Sequence, residues 1–111
     1  MNGQTSATVA TLTTEGDTLA LSGEVDFSNA VRLCRQGERW ISEQAPRHCR
    51  LQLDNLTRCN SAATTLLLCW LRAANRHQKT VQIENIPPTL TSLLDLGGLS
   101  DIVVANAAPA D

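Results

Sequence analysis

Residues 51–68 read LQLDNLTRCNSAATTLLL, and this stretch decides the architecture. Leu51 and Leu53, with Cys49 before them, alternate with Arg50 and Gln52 as a half-buried strand does. Asp54 to Asn60 is polar and reads as a loop. From Ser61 the apolar spacing becomes helical and continues to Asn75. The first residues of this helix are small, and Leu66 to Leu71 are apolar almost all round. Such a helix is buried on more than one side, or leaves an apolar face for a partner or a second copy of the chain.

Upstream, Thr8 to Thr14 and Thr18 to Ser22 alternate apolar and small polar residues about the turn Glu15-Gly16-Asp17, which predicts a hairpin. Gly23 ends its second strand, and Asp26 or Ser28 is placed to cap the helix that follows. Ala30, Leu33, Cys34, Gly37 and Ile41 form the buried stripe of that helix, with a close approach to the sheet expected at Gly37. Pro46 breaks it.

Downstream, Val81 and Ile83 mark a fourth strand, closed by Asn85 and Pro87-Pro88. A short helix carries Leu90, Leu93 and Leu94 on one face and stops at Gly97-Gly98. Leu99, Ile102 and Val103 are expected to fold back as a last turn or edge strand, with residues 105–111 fraying. The order ββαβαβα implies one α/β domain, core about 7–104, with a mixed sheet and helices mainly on one face.

Composition narrows the function. At 111 residues the chain holds one core, and 42% hydrophobic against 18% charged residues fits a compact fold rather than a disordered one. A net charge of −2, with both signs scattered, gives no field for a phosphate backbone, so nucleic acid is not an expected partner. Arg72, Arg76, His77 and Lys79 cluster where a helix ends and complement its dipole. Met1 to Ala10 shows no charged leader with an apolar block, and Leu66 to Leu71 is far too short to span a bilayer; direct membrane insertion is not expected.

Cys34, Cys49, Cys59 and Cys69 form no C-x-x-C pair. The expectation is reduced cytosolic thiols, with Cys34, Cys49 and Cys69 as small core residues and no metal or cofactor site. No catalytic motif is spelled, and His48 and His77 lie at element ends, so no active site is expected. Trp40 and Trp70 read as partly buried core.

The strand, loop and leucine-rich helix of residues 51–68, together with the run from Gly16 to Asp26 and its Gly23-Glu-Val-Asp26 turn, resemble the STAS domain of the anti-sigma factor antagonists from about residue 9 to 104. Asn60-Ser61-Ala62-Ala63 stands where that family has Asp-Ser or Asp-Thr followed by small residues. Brevity, the Gly16 to Asp26 run and the ending through Leu99 to Val103 are most similar to the STAS subunits of Mla-type phospholipid ABC transporters. The resemblance implies a STAS-like fold and a non-catalytic, cytoplasmic subunit, peripheral to the inner membrane through the transporter's ATPase. Its alternative is an anti-sigma factor antagonist phosphorylated by its kinase partner at Ser61.

In either case Ser61 is the contact or modification point, with Asn60, Ala62, Thr64 and Thr65 around it. A helix N-terminus carries free N–H donors and partial positive charge that suit a partner's acceptor or a phosphate. Asn60 replaces the family's usual acid, Gln52 replaces an Asp and Ala63 replaces a Gly. The two missing carboxylates count against a dedicated kinase more than against binding by shape.

Overall fold

The computed structural model of the chain describes residues 9–99. Their order is β1 (Ala10–Glu15), β2 (Thr18–Val25), α1 (Ala30–Glu43), β3 (His48–Cys59), α2 (Ala62–Arg76), β4 (Thr80–Glu84) and α3 (Pro88–Leu96). The sheet runs β1-β2-β3-β4; the β1–β2 pair is antiparallel, and β2–β3 and β3–β4 are parallel. The mixed α/β sheet expected from the sequence is therefore present. Thr8, Ile102, Val103 and residues 105–111 lie outside the described residues.

Leu19, Leu21, Val25, Cys49, Leu51, Leu53, Val81 and Ile83 are all buried and share one core with Leu33, Ile41, Leu66, Leu67, Trp70, Leu90 and Leu94 of the helices. Their alternating strand neighbours carry polar groups instead. Arg50 reaches Asp17 and Glu84, and the Gln52 amide donates to Glu84, as expected of a sheet face turned to water. The helices accordingly cover one face.

The main departure is the length of β3. Residues 54–59, expected as a loop, continue the strand to Cys59. Pairing with β2 steps from Ala20↔Gln52 to Ser22↔Asn55 and from Gly23↔Leu56 to Glu24↔Arg58, so β3 takes up an extra residue twice. Each extra residue slips the side-chain alternation by one. The inward positions fall at Leu51, Leu53, Leu56 and Cys59: a strict period of two misses Leu56 and points Asn55 and Thr57 inward instead, and the second slip restores the phase at Cys59.

The edge strand β1 is tied at Gly23, which has φ +97° and lies inside β2 rather than after it. A Cβ there would sit 2.4 Å from the Val9 carbonyl oxygen, the same oxygen that accepts the Glu24 N–H. Glycine lets β1 approach at this point.

The helix layer rests on one close crossing. Gly37 faces Trp70 of α2, not the sheet: a Cβ on residue 37 would lie 2.1 Å from the indole Nε1. The Trp70 N–H donates to the carbonyls of Leu33 and Cys34, and the side chain is fully buried. The same crossing places Cys34 and Cys69 with Cα atoms 6.2 Å apart and joins them in a disulfide, within the ~4.4–6.8 Å such a bond spans. This corrects the expectation of reduced core thiols for that pair, since both residues are half-buried rather than core. Cys49 is the small buried residue the alternation predicted, and Trp40 and Trp70 are both buried.

At the far end of α1 the Lys79 ammonium donates to the carbonyls of Ile41 and Ala45. Its charge complements the C-terminus of α1 rather than that of the helix it follows. Arg76 pairs with Glu38 across the two helices.

Candidate partner-binding site

Val25 and Cys59 are register partners in parallel strands, so the segments following β2 and β3 emerge side by side at one end of the sheet. The candidate site is built there. After Cys59, Asn60 donates its N–H to the Val25 carbonyl and turns its side chain forward, where Oδ1 accepts the Ala62 N–H at 2.8 Å. The Asn60 carbonyl takes the Ala63 N–H, and the Ser61 carbonyl takes the Thr64 N–H and the Thr64 hydroxyl. The first donors of α2 are thus satisfied locally, with Asn60 supplying the side-chain cap.

Ser61 occupies the nominal cap position in helical conformation, φ −61° and ψ −16°, and its side chain makes no capping bond. A serine that caps must adopt extended backbone and fold its hydroxyl over the following turn. Ser61 does neither, and it is exposed. Thr65, one helical turn on and also exposed, shares its face. Of the five residues the sequence singled out, Asn60, Ser61 and Thr65 reach the surface. Ala62, at 1% exposure, and Thr64, at 9%, are buried in the isolated chain and anchor the helix start instead.

The neighbouring β2–α1 segment is organised by two side chains. The Asp26 carboxylate accepts the Ser28 N–H and hydroxyl, while Asn29 accepts the Asp26 N–H and donates to the Glu24 carbonyl. The Ala30 N–H goes to the Asp26 backbone carbonyl. The predicted cap from Asp26 or Ser28 is replaced by this local knot, with Asn29 at the cap position making no side-chain capping bond.

The knot projects Phe27, which is 69% exposed, and Val31 stands 62% exposed in the first turn of α1. Sequence reasoning missed both. The available signals were that Phe27 is the only phenylalanine of the chain and sits in a turn, and that Val31 lies off the buried stripe. By contrast, the apolar middle of α2 is largely buried against the sheet, α1 and α3, so the apolar surface near the site belongs to the start of α1.

Two different surfaces adjoin the start of α2, one reached by Asn60 and the other by Thr65. A solvent-open depression of about 440 Å³ is lined by Glu24, Asp26, Arg58 and Asn60, with Val25 and Cys59. A smaller apolar groove of about 220 Å³ runs between α1 and α2 past Val31, Cys34, Thr65, Leu66 and Cys69. Cys34, Glu38 and Cys69 form the one cluster of metal-ligand type among the described residues. Its sulfurs are bonded to each other, and a disulfide offers no thiolate to a metal. His48 and His77 belong to no such cluster among the described residues. Among those residues, no helix is long and apolar enough to cross a membrane.

The fold and this arrangement define a STAS-type domain, with a hydroxyl residue presented at the head of the helix after the long central strand. The family model described as "Mlab, STAS domain" matches residues 9–104, and the chain belongs to the STAS domain family. No curated protein matches the chain in sequence. Among solved structures it is similar to the anti-sigma factor antagonist SpoIIAA in its unphosphorylated form, with TM-score 0.68 and 17% identity over 93% of this chain and 89% of that one. Phosphorylated SpoIIAA of Bacillus gives 0.66 and 17%, covering 93% and 92%. An anti-sigma factor antagonist from Mycobacterium paratuberculosis gives 0.65 and 15%, covering 86% and 82%. At these identities the likeness establishes the fold.

Proposed function

We propose that this chain is a non-catalytic, cytoplasmic STAS subunit that binds and supports the ATPase of an Mla-type phospholipid ABC transporter, serving outer-membrane lipid asymmetry from the inner-membrane side. The observation that carries the reading is the Ser61 side chain: exposed, released from capping by Asn60, one turn before exposed Thr65, which shares a groove with Val31, and at the same end of the sheet as exposed Phe27. Interfaces draw their energy from a few aromatic and apolar anchors, with polar groups fixing register. Here Phe27 and Val31 supply the anchors, and Asn60, Ser61 and Thr65 supply the hydrogen-bonding rim. The Mlab description of the matching family model favours a transporter ATPase as partner.

Co-purification with the cognate ATPase tests the assignment. Wild-type chain is expected to bring the ATPase down and Ser61→Arg to lose it; normal assembly with the variant would refute the role of Ser61.

The alternative, an antagonist switched by phosphorylation at Ser61, is favoured by the exposure of that residue. Against it, the N–H groups of Ala62, Ala63 and Thr64 already have acceptors, so a phosphate there gains less from the helix start than from one with open donors. Intact-mass measurement after incubation with the cognate kinase and ATP distinguishes the two: an added phosphate supports the switch, and an unmodified chain removes it.

A further inference from the structure

The four cysteines fall into two classes. Cys49 is buried in β3 and donates to the Thr80 carbonyl, and Cys59 is half-buried at the end of the same strand. Burial pushes both thiols up, which lowers their reactivity. Ten residues of extended strand hold them about 33 Å apart, so they cannot pair. Cys34 and Cys69 instead face each other where α1 crosses α2, and both line the solvent-open groove beside Thr65. A small thiol can reach these sulfurs from water without unfolding the chain.

The core does not depend on this bond. Trp70 is seated in the Gly37 notch and hydrogen-bonded to two α1 carbonyls, and Leu33, Ile41 and Leu66 pack beneath it. The helices therefore stay docked when the sulfurs separate. The groove rim above, formed by Ala30, Val31 and Thr65, loses its covalent tie.

We propose that Cys34–Cys69 is a reversible redox site, opened and closed by thiol–disulfide exchange with a small monothiol of the glutathione class, and that its state fixes or loosens the groove between α1 and α2. In reduction, a thiolate of the small thiol attacks one protein sulfur. The Cys34–Cys69 bond breaks, a mixed disulfide forms, and the other protein sulfur leaves as a thiolate that takes up a proton. A second small thiolate attacks the small-molecule sulfur of the mixed disulfide, forming the small disulfide and releasing the second protein thiol. Two electrons pass to the protein, and two small thiols become one disulfide. Glu38 slows the exchange. Its carboxylate lies within 4.8 Å of the sulfurs and, partly offset by its ion pair with Arg76 and by Arg35 on the same groove, opposes both the incoming and the departing thiolate. This inference does not depend on the identity of the partner.

The test equilibrates the full chain in mixtures of reduced and oxidised glutathione, quenches with an alkylating agent in denaturant, and maps the labelled cysteines by peptide mass. The expected result is that Cys34 and Cys69 interconvert together while Cys49 and Cys59 are labelled throughout, with circular dichroism unchanged. Amide hydrogen exchange of residues 30–38 and 62–69 is expected to quicken several-fold in the reduced state. Glu38→Gln is expected to speed exchange several-fold, and Cys49→Ala/Cys59→Ala to preserve it. A pair that stays reduced in oxidised glutathione, or that opens only when denaturant unfolds the chain, would overturn the redox site. Equal hydrogen exchange in the two states would overturn the loosening.

Discussion

Gly37→Ala is the sharpest test of how the two long helices meet. Alanine is worth about 1 kcal/mol over glycine in a helix interior, so propensity alone predicts stabilisation. The structure predicts the reverse. The new Cβ would lie 2.1 Å from Trp70 Nε1, 2.4 Å from Cε2 and 2.8 Å from Cδ1, against the roughly 3.5 Å of a normal contact. Trp70 has no free space to withdraw into, being 1% exposed, and any withdrawal breaks its bonds to the carbonyls of Leu33 and Cys34. Overpacking costs about 1–3 kcal/mol, and unsatisfied buried groups a further ~1–3 kcal/mol. Offsetting the propensity gain leaves a net loss of about 3 kcal/mol, or a fall in Tm of about 13 °C at this chain length. Thermal unfolding followed by circular dichroism measures it, and the Gly37→Ala/Trp70→Phe cycle isolates the clash as a coupling of about 1 kcal/mol or more. A Gly37→Ala chain as stable as wild type would refute the packing described.

Asn60→Ala removes the side-chain cap on the Ala62 N–H and is expected to cost about 1 kcal/mol in denaturant unfolding; Ser61→Ala, which removes no cap, is expected to cost almost nothing in the same assay. Lys79→Met removes the ammonium from the carbonyls of Ile41 and Ala45 and is expected to lower stability by about 1–2 kcal/mol. Burial holds the Cys49 thiol above its unfolded value, so the unfolded chain releases that proton first and stability falls as pH rises past about 8.5. Urea midpoints measured between neutral and alkaline pH should show this decline, Cys49→Ala should lessen it, and Cys49→Ala/Cys59→Ala, which also removes the raised Cys59 thiol, should flatten it.

The hairpin, the three helices and the alternation at Leu19, Leu21, Cys49, Leu51, Leu53, Val81 and Ile83 were legible because one buried face imposes one period. The second half of β3 was not. One extra residue moves the inward position to Leu56 and a second returns the phase at Cys59, and polar Asp54 and Asn55 at the slip look like a loop. Gly37 was legible as a close approach but not its target, because the stripe of one helix does not say which neighbour its small residue admits. The Cys34–Cys69 pairing is likewise a product of the helix crossing, hidden by a sequence separation of 35.

At the candidate site, the position of Ser61 at a helix start could be read directly. Its backbone conformation could not, and that conformation is what transfers the cap to Asn60 and leaves the Ser61 side chain outward. Phe27 and Val31 were hidden for a related reason. Their exposure follows from the Asp26–Asn29 knot, a set of short-range hydrogen bonds over residues 24–30 that takes the place of the single cap expected from Asp26 or Ser28.

The central claim is that another polypeptide docks on the head of α2. Its most direct test is the affinity of the purified chain for the cognate transporter ATPase, wild type against Ser61→Arg, with Tm measured on both. The account predicts unchanged Tm and affinity weakened at least about tenfold, or ~1.4 kcal/mol. Equal affinities for two equally folded chains would contradict it.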